Sequence, residues 1–219
     1  MIIEWFGHSS FLIISNSGTK IITDPYEPGA FDGAINYAPI NISPDIVTVS
    51  HDHSDHGYIE GFQNDFSVVA QPGSRNIKGI EFKGVQSYHD QQLGSLRGKN
   101  TMFLMSVDHF RICHLGDLGH ELSSSEVEQI GDVDILLIPV GGYYTIGPKE
   151  ADRVIERLNP RLVIPMHYAT DKTNMPIAPV ENFLEGKENV KRFNSSGLEI
   201  DTREQLPDQR EIVVLKHAL

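Results

Sequence analysis

Residues 47–60 read VTVSHDHSDHGYIE, a β-branched run that gives way to three histidines and two aspartates within positions 51–56. The preceding DIVTV at 45–49 has the composition of a strand. Imidazoles set just beyond a strand end are held by a rigid element yet stay accessible, which is how chemical sites are commonly built. His51 and His53 lie two apart and share a face while the chain remains extended; Asp55 and His56 come from the turn that follows. These are two local pairs able to face two metals. By composition alone such a His-x-His-x-Asp-His run is expected in roughly one chain per thousand of this size, so an accidental polar loop explains the group poorly.

The same placement recurs downstream. His89 follows GVQSY at 84–88, Asp117 follows FRICHL at 110–115, and His167 follows RLVIP at 161–165. Other strand-like runs are IIEWF at 2–6, FLII at 11–14, KIIT at 20–23, SVVA at 67–70 and TMFLMSV at 101–107. NSG at 16–18 and the Val107–Asp108–His109 junction read as tight turns. Helices are expected later: SSSEVEQI puts Ser125 three before Glu128, the capping-box spacing, and GPKEADRVIERLNP puts Pro148 at a helix start. Ala151, Val154, Ile155 and Leu158 share one face of that second helix. DILLIP at 134–139 and RLVIP at 161–165 bracket it, the pattern of a β-α-β unit with a parallel pair. The chain is thus expected to be α+β, with mixed sheets and outer helices. No repeat or linker divides it, so residues 1–219 read as a single domain.

Thirty acidic against eighteen basic residues give a formal charge of −12. No Lys/Arg-rich tract is present to track a phosphate backbone, which disfavours nucleic acid as a partner. The single cysteine, Cys113, excludes an internal disulfide framework and suits a reducing compartment. The N-terminus lacks a basic region followed by a long apolar stretch, and nowhere do eighteen uninterrupted apolar residues occur. A cytoplasmic protein without a membrane partner is expected. The sequence is silent on oligomeric state.

The segments WFGHSSFLI, IITDP, SHDHSDH, SYHD, RGKNTMFLM, FRICHLGDLGH, LIPVGGYYTI and VIPMHY, in this order, resemble the metallo-β-lactamase-fold hydrolases. The resemblance is to the compact branch similar to ascorbate-6-phosphate lactonase-like proteins. It spans nearly the whole chain, and SHDHSDH with its downstream His, Asp and His is the diagnostic part. It implies a four-layer αββα sandwich with a two-metal site at one edge. His51, His53 and His89 would hold the first metal, Asp55, His56 and His167 the second, and Asp117 would bridge them. Zinc is implied, two ions per chain, with manganese or iron also compatible with such ligands. A metal-bridging hydroxide would attack an ester, lactone or phosphodiester. Two Zn²⁺, two carboxylates and one hydroxide leave a formal charge of roughly +1, which favours a small anionic substrate despite the acidic chain.

Several residues carry competing readings. His114 precedes Asp117 by three positions and rivals His89 as a ligand, although its strand parity with Phe110 and Ile112 suits a packed core histidine. His120, three beyond Asp117, is a candidate catalytic residue alongside Asp55 and Asp117, or else a polar residue before a helix. The resemblance places His8 near the pocket as a substrate contact, and Asp24 as a carboxylate fixing a ligand histidine, where an Asp-Pro turn is the plainer role. Tyr144 and Thr145, with Tyr143, are donors toward a substrate from the GGYYTIG loop, which could equally be only a glycine turn. Residues 25–41 and 90–99 are candidate walls or lids; Arg97 could meet an anion, although a surface charge is the plainer reading, His109 and His217 read as surface residues, and Cys113 as a buried thiol. The rival functions are a phosphodiesterase or nuclease of the same fold, a glyoxalase-like thioesterase, and a non-catalytic metal-binding protein.

Overall fold

A computed structural model describes residues 1–219. The first five strands are β1 (Ile2–Gly7), β2 (Ser10–Ile14), β3 (Lys20–Thr23), β4 (Ile46–Thr48) and β5 (Ser67–Val69). A second group follows: β6 (Gly73–Ile77), β7 (Ile80–Tyr88), β8 (Lys99–Val107), β9 (Phe110–His114), β10 (Ile135–Pro139) and β11 (Leu162–Met166). The chain closes with β12 (Val190–Arg192), β13 (Gly197–Glu199) and β14 (Glu211–Val214). The helices are α1 (Ala30–Gly33), α2 (Ser124–Ile130), α3 (Pro148–Leu158) and α4 (Val180–Leu184). None is long and apolar enough to cross a membrane.

Six strands form one sheet in the order β13-β1-β2-β3-β4-β5, and eight form the other in the order β12-β14-β11-β10-β9-β8-β7-β6. Both are mixed: β1 to β3 pair antiparallel and β3 to β5 parallel, while β6 to β9 pair antiparallel and β9, β10, β11, β14 and β12 parallel. Alternation along each strand sends one set of side chains inward. Ile3, Trp5, Phe11, Ile13 and Ile21 of the first sheet join Phe82, Phe103, Ile112, Leu137 and Ile164 of the second in one core. At roughly 1.5–3 kcal/mol for each fully buried large apolar side chain, this core is what holds the sheets together.

Local chemistry explains the connections. The β8–β9 hairpin closes on Asp108 and His109, both with left-handed φ (48° and 71°), as a two-residue turn requires. The β10-α3-β11 unit has its strands parallel from Ile135↔Leu162 to Pro139↔Met166, and Ala151, Val154, Ile155 and Leu158 are all buried. Pro148 opens α3, and Asn159 ends it in the left-handed conformation.

The sequence expectation needs correction in three places. The capping box of α2 is Ser123 with Glu126, not Ser125 with Glu128. Leu122 and Val127 then take the two positions of a hydrophobic staple, and both pack in the central core. Strands β6, β12 and β13 carry no apolar alternation and escape a pattern reading, and β14 is an interior strand that the expectation omits. The outer face of the first sheet is covered mainly by irregular chain. Phe6, Leu12 and Ile22 point there and pack with Tyr26, Ala30, Ile35 and Tyr37. Within that cover α1 is a single turn, with Phe31 and Asp32 in left-handed conformation; its Gly- and Pro-rich surroundings favour turns over helix.

Candidate metal centre

Strand ends of both sheets meet at one edge of the sandwich. His8 follows β1, Asp24 follows β3, His51 follows β4, His89 follows β7, Asp117 follows β9 and His167 follows β11. At three of them the backbone turns sharply: His8, Asp24 and His167 have φ of 51°, 39° and 51°. Such conformations cost non-glycine residues on the order of 1–3 kcal/mol and persist where surroundings impose them. Here the amide of His167 donates to the His8 carbonyl at 3.0 Å and that of Asp24 to Thr48 at 2.9 Å.

The side chains fall into three overlapping groups, each with its candidate ligand atoms within 4.8 Å of one another: His51, His53 and His89; His8, Asp55, His56 and His167; and His51, His56 and Asp117. Asp117 faces both histidine sets. Its Oδ1 lies 3.2 Å from His56 Nε2, and its Oδ2 lies 3.2 Å from His89 Nε2 and 3.3 Å from His167 Nε2.

Unsatisfied buried atoms converge on the same point. His56 Nε2, His167 Nε2, Asp55 Oδ1 and Asp117 Oδ1 are buried without a hydrogen-bond partner. Buried polar atoms are seldom left so, because desolvation without a bond is costly. Burial, with neighbouring His56 second, lowers the His51 pKa to about 3; burial, with His167 second, lowers that of His8 to about 4. Both rings are therefore neutral, the form that binds a cation. Burial also opposes charge on His56, but Asp117 and Asp55 outweigh it and hold that ring protonated well above the usual range. These imidazoles and carboxylates around one point, His56 among them once it releases that proton, form a donor set that fits divalent cations such as zinc.

A layer of hydrogen bonds aims these groups. Asp24 is fully buried and accepts from the Ser50 amide (2.8 Å), the Ser50 hydroxyl (2.5 Å) and His56 Nδ1 (2.9 Å). Asn100 Oδ1 accepts from the Asp117 amide at 3.0 Å, while its Nδ2 donates to the Leu115 carbonyl and Ser87 hydroxyl. A Cβ on Gly116, whose φ is +54°, would overlap Asn100 and Ser50, and one on Gly119 would overlap the backbone of His89. His114 has both ring nitrogens engaged, Nε2 with the Ser9 carbonyl (2.8 Å) and Nδ1 with the Gly116 amide (3.1 Å). It braces the turn before Asp117 and has no lone pair to give; His89 is the histidine brought to the cluster.

A cavity of about 460 Å³ opens onto His53, Asp55, His89, Asp117 and His167. Phe31 and Ala34 from 25–41, and Leu96 and Arg97 from 90–99, form part of its wall with Tyr144. Several expectations fail here. His8 is fully buried and away from the cavity wall, with Nε2 bonded to Asp55 Oδ2 at 3.0 Å. His120 turns away: Nε2 accepts from the Tyr88 amide and Nδ1 donates to the Glu121 carbonyl, so neither nitrogen is free for catalysis. The Thr145 hydroxyl donates to the Ile146 carbonyl and is absent from the wall, because the turn directs it into its own backbone. Conversely, Arg97 is a wall residue, and His217 is half-buried between Trp5, Tyr37 and Asp171. Asn100 and Ser50 were missed as supports; a polar residue inside an otherwise apolar strand, as Asn100 is in β8, was the available signal.

Comparison with known proteins agrees with this fold. The beta-lactamase superfamily domain matches residues 2–167. The UPF0173 metal-dependent hydrolase of Pyrobaculum arsenaticum is 30% identical over 192 residues, spanning 78% of this chain and 85% of the relative. A candidate zinc-dependent hydrolase of the metallo-beta-lactamase superfamily from Thermotoga maritima superposes with a TM-score of 0.80 at 38% identity, covering 98% of this chain and 97% of that one. The isothiocyanate hydrolase from Delia radicum gut bacteria shares the fold, with a TM-score of 0.69 at 14% identity over 99% and 97% of the two chains. Matched over most of its length, the chain belongs to the metallo-β-lactamase superfamily, among its metal-dependent hydrolases.

Proposed function

We propose that the protein is a binuclear zinc hydrolase acting on an ester, lactone or phosphodiester bond of a small anionic molecule. The observation that carries this is the convergence of seven His and Asp side chains, among which His56 Nε2, His167 Nε2, Asp55 Oδ1 and Asp117 Oδ1 are buried without a hydrogen-bond partner. His51, His53 and His89 would hold one ion and Asp55, His56 and His167 the other, with Asp117 between them; its Oδ2, 3.2 Å from His89 and 3.3 Å from His167, and its Oδ1, 3.2 Å from His56, support that role. When bound, such a pair of ions supplies a water of lowered pKa, about 7, and polarises the scissile carbonyl or phosphoryl oxygen.

The chain's own groups do the rest. Asp55 and Asp117 line the cavity, and although burial opposes their ionisation, His56 and His8 hold the Asp55 carboxyl, and His167 and His56 that of Asp117, well below the ordinary range. They accept hydrogen bonds from the attacking water and orient it; their low proton affinity makes them positioning groups more than proton stores. His8 fixes one oxygen of Asp55 from behind. Tyr144, which also lines the cavity, would donate its hydroxyl to the substrate oxygen on which charge develops. The buried, unpaired Cys113 is compatible with a reducing compartment, so we place the protein in the cytoplasm.

The test is a purification without added zinc, elemental analysis, and a panel of esters, lactones and phosphodiesters. Two equivalents of metal, turnover on at least one class, and loss of both in His51→Ala and His167→Ala are expected. Protein that holds two metals yet turns over no member of the panel would leave a metal-binding role and remove the enzymatic one.

A further inference from the structure

Arg97 is the cation of the cavity wall, and the loop that carries it is fixed with unusual thoroughness. The carboxylate of Asp90, itself buried, accepts from four backbone amides of that loop: Gln92 at 2.7 Å, Gly94 at 3.0 Å, Leu96 at 2.9 Å and Arg97 at 2.8 Å. The loop then closes on the candidate ligand His89, whose amide donates to the Gly98 carbonyl at 3.1 Å. Arg97 is thereby tied to the metal centre through a short, hydrogen-bonded path. Its guanidinium carbon sits 5.6 Å from the centre of the Tyr144 ring, within cation–π range. In a chain of thirty acidic residues and eighteen basic ones, no carboxylate has been placed against it.

The surroundings divide by polarity. On one side, Phe31 (52% exposed) and Leu96 (64% exposed) stand at the cavity with Met175 and Pro176. Large apolar side chains left in water at the mouth of a cavity are a surface that a ligand covers. On the other side a second cavity of about 400 Å³ shares His53 and Arg97 with the first and is lined by Gln71, Gln86 and Lys99. An anion on Arg97 therefore keeps contact with polar groups and water and is spared full desolvation.

We propose that Arg97 is the anion-recognising residue of this site, and that the substrate is amphiphilic. Its apolar body lies along Phe31, Leu96, Met175 and Pro176, and a carboxylate or phosphate at its far end meets the Arg97 guanidinium, while the scissile bond faces Asp55 and Asp117. This rests on the hydrolase reading above and adds the substrate class. Asp90 is the positioning residue that fixes the loop backbone from which Arg97 projects.

The test separates the two readings by measuring binding and turnover independently on the metal-loaded protein. Calorimetry with six-carbon alkyl hydroxamates bearing a terminal carboxylate, a terminal phosphonate or a methyl group reports binding without hydrolysis; aryl esters with the same three termini report turnover. The native protein is expected to favour at least one anionic terminus over methyl by about tenfold or more, the worth of a charge-assisted hydrogen bond. Arg97→Ala should collapse that ratio to near one, and Arg97→Lys should keep part of it. The carboxylate and phosphonate arms tell the two anions apart. An anionic preference in binding without turnover of any ester supports the subsite and removes esters from the hydrolase reading. Turnover of the esters with no anionic preference, or a preference that Arg97→Ala leaves intact, overturns the proposal and spares the hydrolase.

Discussion

His56 Nδ1 lies 2.9 Å from a carboxylate oxygen of Asp24, and this bond decides that Nε2 is the nitrogen facing Asp55 and Asp117. Every contact Asp24 makes is as an acceptor: the Ser50 amide, the Ser50 hydroxyl and the His56 ring. It follows β3, with only β4 between it in sequence and the histidine cluster it steers.

Asp24→Asn should therefore disturb the centre without touching it. The amide nitrogen brings hydrogens to a position surrounded by donors, so His56 loses its orientation and one buried donor is left unpaired. Loss of an orienting partner costs about 10–100-fold in metal affinity, and the effect should fall on the ion held by Asp55, His56 and His167. Metal titration of the variant with zinc, followed by elemental analysis after dialysis, reads this directly. Two ions retained at native affinity would remove Asp24 from this role.

His89 and His114 should part company in the same assay. His89→Ala takes away a ring from the group with His51 and His53, and metal content should fall. His114→Ala leaves the Ser9 carbonyl and the Gly116 amide unpaired in the interior, at about 1–3 kcal/mol each. Its signature should be a lowered melting temperature with metal still bound. Equal metal loss in both variants would put His114 back among the ligands.

How far this was legible from the chain varies by residue type. SHDHSDH announced itself because imidazoles are rare and clustered, and β10-α3-β11 because its helix has one apolar face between two apolar runs. Sequence could also rank His89 over His114 only by resemblance; what separates them is which ring nitrogens the fold leaves free, and that depends on Ser9, more than a hundred residues distant. His120 looked as suitable as any histidine near Asp117 until the Tyr88 amide claimed it. For Arg97 the sequence offers an anion contact beside a surface charge and does not choose, because the loop that carries it is fixed by Asp90 through backbone amides, which carry no side-chain signature. The short strands β12 and β13 are edge elements whose pairing comes from neighbours and not from their own pattern.

Gly116→Ala and Gly18→Ala form a controlled pair. Both glycines have positive φ, +54° and +86°, but a Cβ on Gly116 would overlap Asn100 and Ser50, while nothing lies within 4 Å of Gly18. Gly18→Ala should cost about 1 kcal/mol for conformation alone. Gly116→Ala should cost roughly 1–3 kcal/mol more and displace Asp117, lowering metal content as well as stability. Denaturant melts of the two variants, with metal analysis alongside, check the difference; equal costs would mean the turn is looser than its packing implies.

The metal-free protein should weaken in mild acid. His8 and His51 have folded pKa values of about 4 and about 3 against 6.5 for the free side chain, in each case first through burial. Between pH 6.5 and those values the unfolded chain takes up protons that the folded chain refuses, so the contribution of these two rings is full above pH 6.5 and declines as pH falls. Each pKa unit is worth about 1.4 kcal/mol, and several kcal/mol are at stake across this window. Melting temperatures of the metal-free protein measured from pH 7 to pH 4.5 should drop steadily. A flat profile would mean that these rings reach solvent more freely than their burial indicates.

Metal binding should release a proton near neutral pH, because His56 has to give one up. Burial favours its neutral form, but Asp117 and Asp55 hold the ring charged well above the ordinary histidine range. A cation entering beside Asp55, His56 and His167 competes with that proton for Nε2 and is attracted to the same two carboxylates. Apparent affinity at this position should therefore rise with pH until His56 deprotonates without metal. Calorimetric zinc titrations in two buffers of different ionisation enthalpy count the protons released. Close to one proton per chain at pH 7 is expected for the native protein, and release should shrink in Asp117→Asn, where the ring loses the nearer of its two holding charges.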